Sequence, residues 1–364
     1  MTDSPSTNEF VVVPCGPADR EAQARLFNAT FKKAVDARGL AWRYDENPHG
    51  PAISFAQTHA AAGLVSGYAC SPRRAVPAGD ESHAALVGET GDVMTHPSWR
   101  KRGLFSALDR AAMAESRRLG WPVVFGLPNR RSAHIFLELG WQRVGTLRAW
   151  TFVLRADAAA RTERAKEGRI RGWLTPLAAR AGRSARTKLA AGKPLLARPL
   201  SAFPRAVESL SRAVEPRFAL MVRRDAAYLD WRFLRSPSGL HRSFGLYAQD
   251  EFEGYVVVQV PRPGSPIGYL VDVLARDDES VDAAILTGLA ALESAGASVV
   301  QATAMDGSWW STRLSGSGFQ APRPENYLTA IVHVHDRGHP LALAALSPKR
   351  WYLTDGDRDD ETMG

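Results

Sequence analysis

Two cysteines, Cys15 and Cys70, in 364 residues are too few for a disulfide framework or a metal-ligand cluster, and they fit a reducing compartment with no metal. No window approaches eighteen consecutive apolar residues, which excludes a stable membrane insertion by the usual helix. The opening, MTDSPSTNEF, has neither a basic n-region nor an apolar h-region, so no secretory signal is read there. Together these absences predict a soluble, cytoplasmic protein. What the chain does have is length enough for two domains, each able to bury a sizeable core.

The most informative stretch is residues 91–141. Val93-Met94-Thr95 ends a strand, and His96-Pro97 stops the ladder because proline has no N–H to donate. The turn Arg100-Lys101-Arg102-Gly103-Leu104-Phe105 follows. Apolar residues Leu104, Leu108, Ala111, Ala112 and Leu119 then recur at helical steps, with Gly120 closing the helix. A helix N-terminus offers unpaired N–H groups and about half a positive charge, so this basic glycine turn suits an anion such as a pyrophosphate. An isolated turn of this kind also reads as a capped helix with solvated basic residues.

The order V-x-T-x-P, R-x-x-G-L, amphipathic helix, apolar strand WPVVFGLP, Asn129 and then Gly140-Trp141 resembles the acyl-CoA-binding core of the GNAT (Gcn5-related) superfamily of N-acyltransferases. The resemblance covers about fifty residues and implies an α/β fold with a mixed sheet. It implies that the backbone of Val93, Met94 and Thr95 pairs with the pantetheine arm of acetyl-CoA as another strand would. Arg100, Lys101, Arg102, Gly103, Leu104 and Phe105 would hold the pyrophosphate, and Asn129 would contact the pantetheine. Phe105 departs from the family's small residue at that position. Phe136 stands where many members carry a tyrosine that protonates the leaving thiolate, and phenylalanine has no proton to give. Glu89, eleven residues before Arg100, falls where the histone-acetylating branch carries its catalytic base. Its strand parity matches Gly91 and Val93 and places Asp92 on the opposite face; an exposed edge-strand glutamate is the plainer reading.

Around this core, Phe10 to Val13 reads as a strand, Ala18 to Val35 as a helix, Ala52 to Thr58 and Ala62 to Cys70 as strands, and Ser71 to Asp80 as a loop. From Ala156 to Arg205 twelve Lys and Arg face three acids, so the chain's net charge of +8 resides there. That connector reads as Arg- and Ala-rich helices packing on the domains, and no nucleic-acid motif accompanies it. Beyond it the chain repeats. Trp42 to Gly50, WRYDENPHG, returns as Trp231 to Gly239, WRFLRSPSG; Gly67-Tyr68 returns as Gly254-Tyr255, Val93-Met94-Thr95 as Val273-Leu274-Ala275, and Gly140-Trp141-Gln142 as Gly318-Phe319-Gln320. The second copy has Arg276-Asp277-Asp278-Glu279-Ser280-Val281 where the basic turn stood, which repels a pyrophosphate.

The expected organisation is a GNAT-like catalytic domain over 1–155, a basic and largely helical connector over 156–215, a degenerate copy over 216–335 and a tail over 336–364. Trp309, Trp310, Tyr327, Asp272 and Asp306 are candidates to line an acceptor cleft between the halves. The acidic end GDRDDETMG reads as disordered, with Trp351 tying the tail to a domain face. By resemblance, the activity is transfer of an acyl group, most simply acetyl, from acyl-CoA to a small-molecule amine such as an amino sugar or natural-product intermediate. A longer acyl donor and a non-catalytic acyl-CoA-binding scaffold are the alternatives, and a homodimer is left open.

Overall fold

The computed structural model describes residues 9–31, 34–155, 186, 192–321, 325 and 327–358. In the first copy the order is β1 (Phe10–Pro14), α1 (Arg20–Phe31), α2 (Ala37–Asp45), β2 (Ile53–His59), β3 (Gly63–Val76), β4 (Ala85–Thr95), α3 (Leu104–Arg118), β5 (Val123–Gly126), α4 (Arg130–Glu138) and β6 (Gln142–Val153). The single helix expected over 18–35 is shorter, and a second helix follows it. Asp36 starts α2 by accepting the Gly39 N–H at 2.8 Å. The expected loop at Ser71–Asp80 is largely strand. β3 runs on through Pro72 because β4 pairs it as far as Ala75↔Ala85 and a later strand pairs Ala75 and Val76.

The second copy supplies β7 (Leu196–Pro199), α5 (Ala206–Val214), β8 (Leu220–Val222), α6 (Ala226–Leu229), β9 (His241–Ala248), β10 (Glu251–Gln259), β11 (Ile267–Ala275), α7 (Asp278–Ser294), β12 (Val299–Met305), α8 (Trp309–Gly316) and β13 (Leu328–Val334). α9 (Pro340–Ala345) and β14 (Trp351–Tyr352) follow. Strand for strand and helix for helix, β3-β4-α3-β5-α4 of the first copy returns as β10-β11-α7-β12-α8. Connector residues 156–185 and 187–191 lie outside the described residues, as do Trp173, Leu174 and Leu177. No helix of the described residues is long and apolar enough to cross a membrane.

The two copies share one sheet. Its strand order is β1-β2-β3-β4-β5-β13-β6-β12-β11-β10-β9-β7. β13, from the end of the chain, pairs antiparallel with β5 of the first copy, while β6 runs against β12 of the second. The final strand of each copy thus completes the other copy's half of the sheet; β13, LTAIVHV, is buried over its middle, while β6 stays partly exposed at Gln142, Arg143 and Ala149.

The repeated Trp-Arg-aromatic motif lies on this junction. Trp42 Nε1 donates to the Trp231 carbonyl at 3.0 Å, and Trp231 Nε1 donates to the Trp42 carbonyl at 2.9 Å. The rings stack 5.1 Å apart, both buried. This reciprocity gives the motif a structural role. Trp42→Phe is expected to cost about 2 kcal/mol or more, from the lost hydrogen bond and the lost volume. Trp231→Phe should cost a similar amount, and the double variant less than the sum, since both changes empty one contact. Urea unfolding of the three variants measures this.

The end of the chain is not a loose tail. β14 pairs parallel with β8, and Trp351 through Asp357 are buried; Asp357 is 0% exposed. The acidic residues are ordered because Arg224, itself buried, binds Asp357 at 2.7 and 2.8 Å. Residues 359–364 lie outside the described residues.

Candidate functional site

β4 and β5 run parallel for only three residues, Gly88–Thr90 against Val124–Gly126. Past Thr90 they part, and among the described residues the β5-facing edge of β4 has no ladder partner there. Opposite Tyr68 the β4 strand bulges: Gly67 pairs Met94 and Ala69 pairs Gly91, so Asp92 and Val93 share one partner position. Asp92 takes a left-handed φ of 48° to make this possible. The bulge breaks the simple alternation: Asp92 turns to Arg43 and Tyr44 of α2, while Val93 packs on the α3 side beside Phe105, and with Gly91 they border one pocket of about 330 Å³.

Asn129, Ser132 and Phe136 form another wall of that pocket. Asn129 caps α4, its side-chain oxygen accepting the N–H groups of Arg131 and Ser132 at 2.9 and 3.1 Å. Its amide nitrogen is then the group it can offer a ligand. Phe136 is wedged edge-to-face between Phe105 at 4.9 Å and Trp141 at 5.0 Å. Three predicted residues, Val93, Asn129 and Phe136, are thereby brought together, with Phe105 behind them. Met94 points the other way: it is buried, and its side chain packs under Gly67 and near Leu26.

The basic turn opens beside the pocket. Lys101 and Gly103 both adopt left-handed backbone, with φ of 64° and 72°. Gly103 occupies the N-cap of α3, where no side chain caps the helix. A Cβ at Gly103 would meet nothing within 4 Å, so the first turn of α3 faces open space. Arg100 is turned back onto the Thr95 carbonyl at 3.3 Å, and Arg102 lies 4.8 Å over the Trp99 ring and 3.4 Å from Glu9. The second copy is built otherwise. There Asp277 caps α7 itself, accepting the Ser280 N–H at 2.7 Å, and Lys193 sits 3.5 Å from the same carboxylate. One helix N-terminus is left for an anion; the other is satisfied from within.

Glu89 is off the pocket wall. It is 2% exposed and ion-paired to the equally buried Arg73. Burial raises its carboxyl above the ordinary range, while the guanidiniums of Arg73 and Arg232 pull it down. The carboxylate on the wall is Asp92, bound by Arg43 at 2.6 Å and by the Tyr44 hydroxyl at 2.8 Å. The five cleft candidates of the second copy do not form a cleft. Trp310 and Asp272 are sealed in the core, Asp272 against Arg224 at 3.2 Å; Asp306 pairs with Arg148 at 3.0 Å, Trp309 packs on Phe218 and Tyr352, and Tyr327 lies under Arg130 and Arg143.

Beneath the pocket α3 buries Asp109, which accepts from the Tyr68 hydroxyl at 3.0 Å and from Trp141 Nε1 at 3.2 Å. Burial pushes its carboxyl up to about 6, against the downward pull of those two hydrogen bonds. A carboxyl raised in the folded state favours folding below its unfolded value near 3.8 and loses that contribution as the pH climbs through about 6. Asp109→Asn keeps an acceptor and removes the buried charge. It should be more stable than the parent at pH 7 by about 1–3 kcal/mol, and the gap should close by pH 4 in urea unfolding.

An acetyltransferase (GNAT) domain model matches residues 14–144. Over these residues the first copy is a GNAT domain. Comparison with curated proteins finds no match. Solved structures extend the likeness over the whole chain at the level of fold. A GCN5-related N-acetyltransferase from Kribbella flavida superposes with a TM-score of 0.60 at 13% identity, covering 92% of this chain and 73% of that one. A tandem GNAT protein from the clavulanic acid biosynthesis pathway gives 0.56 at 13% identity, covering 90% and 98%. Saccharomyces cerevisiae N-myristoyltransferase with bound myristoyl-CoA gives 0.62 at 13% identity, covering 91% and 84%. In the GNAT frame the open gap between β4 and β5 and the uncapped turn of α3 lie in one domain, and the second GNAT-like copy lacks the open turn. Arg43, Asp92 and Arg358 on the pocket wall are the residues that sequence reasoning missed. Only Phe27 and Phe31, at i and i+4 on α1, had a periodicity that pointed inward.

Proposed function

We propose that the chain is an acyl-CoA-dependent N-acyltransferase whose donor is most simply acetyl-CoA and whose acceptor is the amine of a small molecule. The observation that carries this reading is the pairing of an uncapped helix N-terminus at Gly103 with the unpaired, bulged edge of β4. N–H groups of the α3 turn would hold a pyrophosphate, and Val93, Met94 and Thr95 would offer backbone groups to the pantetheine amides. Asn129 would add its amide N–H. A thioester at the mouth of the gap then meets an amine entering past Asp92.

The attacking amine must be neutral, so a base is needed. Glu89 is buried against Arg73 and lies off the wall; Asp92 is on the wall itself. We assign the direct contact to Asp92 and keep Glu89 as a base acting through water. Phe136 gives no proton, so the thiolate takes its proton from solvent or from the acceptor. Phe105 and Phe136 close the floor edge-to-face, which favours a short acyl group over the long chain that the yeast N-myristoyltransferase structure holds. An amino sugar or natural-product amine is the acceptor class, the tandem GNAT protein of clavulanic acid biosynthesis being similar in fold. Calorimetric titration with acetyl-CoA and with myristoyl-CoA tests the donor side. One acetyl-CoA site per chain is expected; heat from neither ligand would overturn this reading and the acyl-CoA-binding scaffold alike.

A further inference from the structure

The charged side chains on the pocket wall are committed to partners within the protein. Arg43 binds Asp92 at 2.6 Å, and the Tyr44 hydroxyl donates to the same carboxylate at 2.8 Å. Arg358 donates to Asp355 at 2.9 Å and to the Thr303 hydroxyl at 3.2 Å. Much of the remaining wall is apolar. α1 brings two rings to it one turn apart, Phe27 and Phe31, with centroids 4.7 Å apart. The Arg43 guanidinium stands 5.9 Å over the Phe27 ring, which sets this pair beside Asp92. Phe27 is buried, but Phe31 is 37% exposed, so a large apolar ring of the wall stays in contact with water. Leu127 and Leu328, both half-buried, add apolar wall from the end of β5 and the start of β13. Their backbones are tied together, for the Thr329 N–H donates to the Pro128 carbonyl at 2.9 Å.

We propose that Phe27 and Phe31, with Leu127 and Leu328, form an acceptor subsite for an apolar group, aliphatic or aromatic, carried on the reacting amine. The proposal rests on the acyltransferase reading and narrows its acceptor class to apolar amines, away from amino sugars. Covering Phe31 and the body of such an amine removes apolar surface from water on both sides of the contact. A sugar gains little here and loses hydration. The neutral polar side chains on the wall are Thr90, Asn129 and Ser132; the Thr90 hydroxyl is buried, and Ser132 already donates to Asn129 at 3.5 Å. Hydroxyls that leave water without new partners weaken binding.

The test is acetyl transfer by the full-length protein, with acetyl-CoA saturating, to ethylamine, butylamine, hexylamine, phenethylamine and glucosamine. The alkylamines share one basicity, so their differences report the apolar group alone. KM is expected to fall along the alkyl series by up to about fourfold per added methylene, with kcat nearly constant. Hexylamine and phenethylamine should both exceed glucosamine in kcat/KM. Phe31→Ser should flatten the series and raise the hexylamine KM about 10-fold, whereas Phe31→Leu should keep most of the slope. Coenzyme A binding, measured first on each protein by calorimetry, shows that the variants are folded and tests the acyltransferase reading by itself: its absence in the wild-type protein sinks that reading. With that binding intact, a flat series in the wild-type protein, a preference for glucosamine, transfer to none of these amines, or an unchanged slope in Phe31→Ser overturns this proposal alone.

Discussion

Gly103→Asp is expected to lower acetyl-CoA affinity about 100-fold or more while the protein remains folded. Gly103 sits at φ 72°, a conformation aspartate tolerates better than most residues, and its Cβ would enter open space. The fold should therefore lose no more than about 1 kcal/mol. The new carboxylate would cap the first turn of α3 and place a negative charge where a pyrophosphate is proposed to bind. Two such charges a few ångströms apart repel by several kcal/mol at the dielectric of a partly buried site, and each 1.4 kcal/mol is tenfold in affinity. The second copy already shows the chemistry, for Asp277 satisfies the N-terminus of α7 in this way. Gly103→Asn separates the two effects: it competes for the same N–H groups without the charge, and should weaken binding far less. Calorimetry of the three proteins decides; equal affinities in all of them would remove the α3 turn from the donor site.

Glu89→Ala should destabilise the protein by about 3–5 kcal/mol, because it strips the buried Arg73 guanidinium of its carboxylate. That is a large part of the 5–15 kcal/mol by which domains are usually stable. The damage should reach the second copy, since Arg73 also lies 5.8 Å over the Tyr228 ring and 5.9 Å over that of Trp231. Replacing both partners by methionine should recover much of the loss, as an apolar pair of similar volume needs no counter-charge. Glu89→Gln keeps a hydrogen-bond acceptor and tests the catalytic role. This variant leaves the Arg73 charge uncompensated and should lose stability, though less than alanine does; if Glu89 moves the proton, the rate at a temperature where the variant is fully folded should still fall steeply, and if the role is structural that rate should stay near the parental one. Asp92→Asn, measured alongside, should show the larger rate loss.

The linear order of residues 91–141 was enough to recognise the GNAT core, because the features of the proposed pyrophosphate turn are local. A glycine at a helix start, basic neighbours, a proline that ends a strand and an asparagine cap each act within four residues of themselves, and the sequence spells all of them. The duplication was legible for a related reason: WRYDENPHG and WRFLRSPSG keep their residue types because both meet at one junction. The acidic Asp277-Asp278-Glu279 turn was legible for the same reason, since Asp277 caps α7 within three residues of itself.

Everything about the pocket wall that depends on distant segments escaped. Strand parity could not show that Asp92 borders the pocket, because a one-residue bulge opposite Tyr68 interrupts the alternation that parity assumes. Arg43 lines the pocket from a helix fifty residues away, and Arg358 from an end that composition alone assigns to disorder. Acidic, glycine-containing ends are usually solvated; this one is buried because Arg224 and Thr303 wait for it inside the second copy. The exchange of β6 and β13 between the halves is of the same kind: which partner each strand finds is settled only when two half-complete sheets meet edge to edge. The sequence by itself determined the basic glycine turn and the number of copies, through short-range backbone chemistry. The tertiary structure decided which carboxylate and which arginines line the pocket, because those positions are fixed by long-range packing and by buried charges that must find partners.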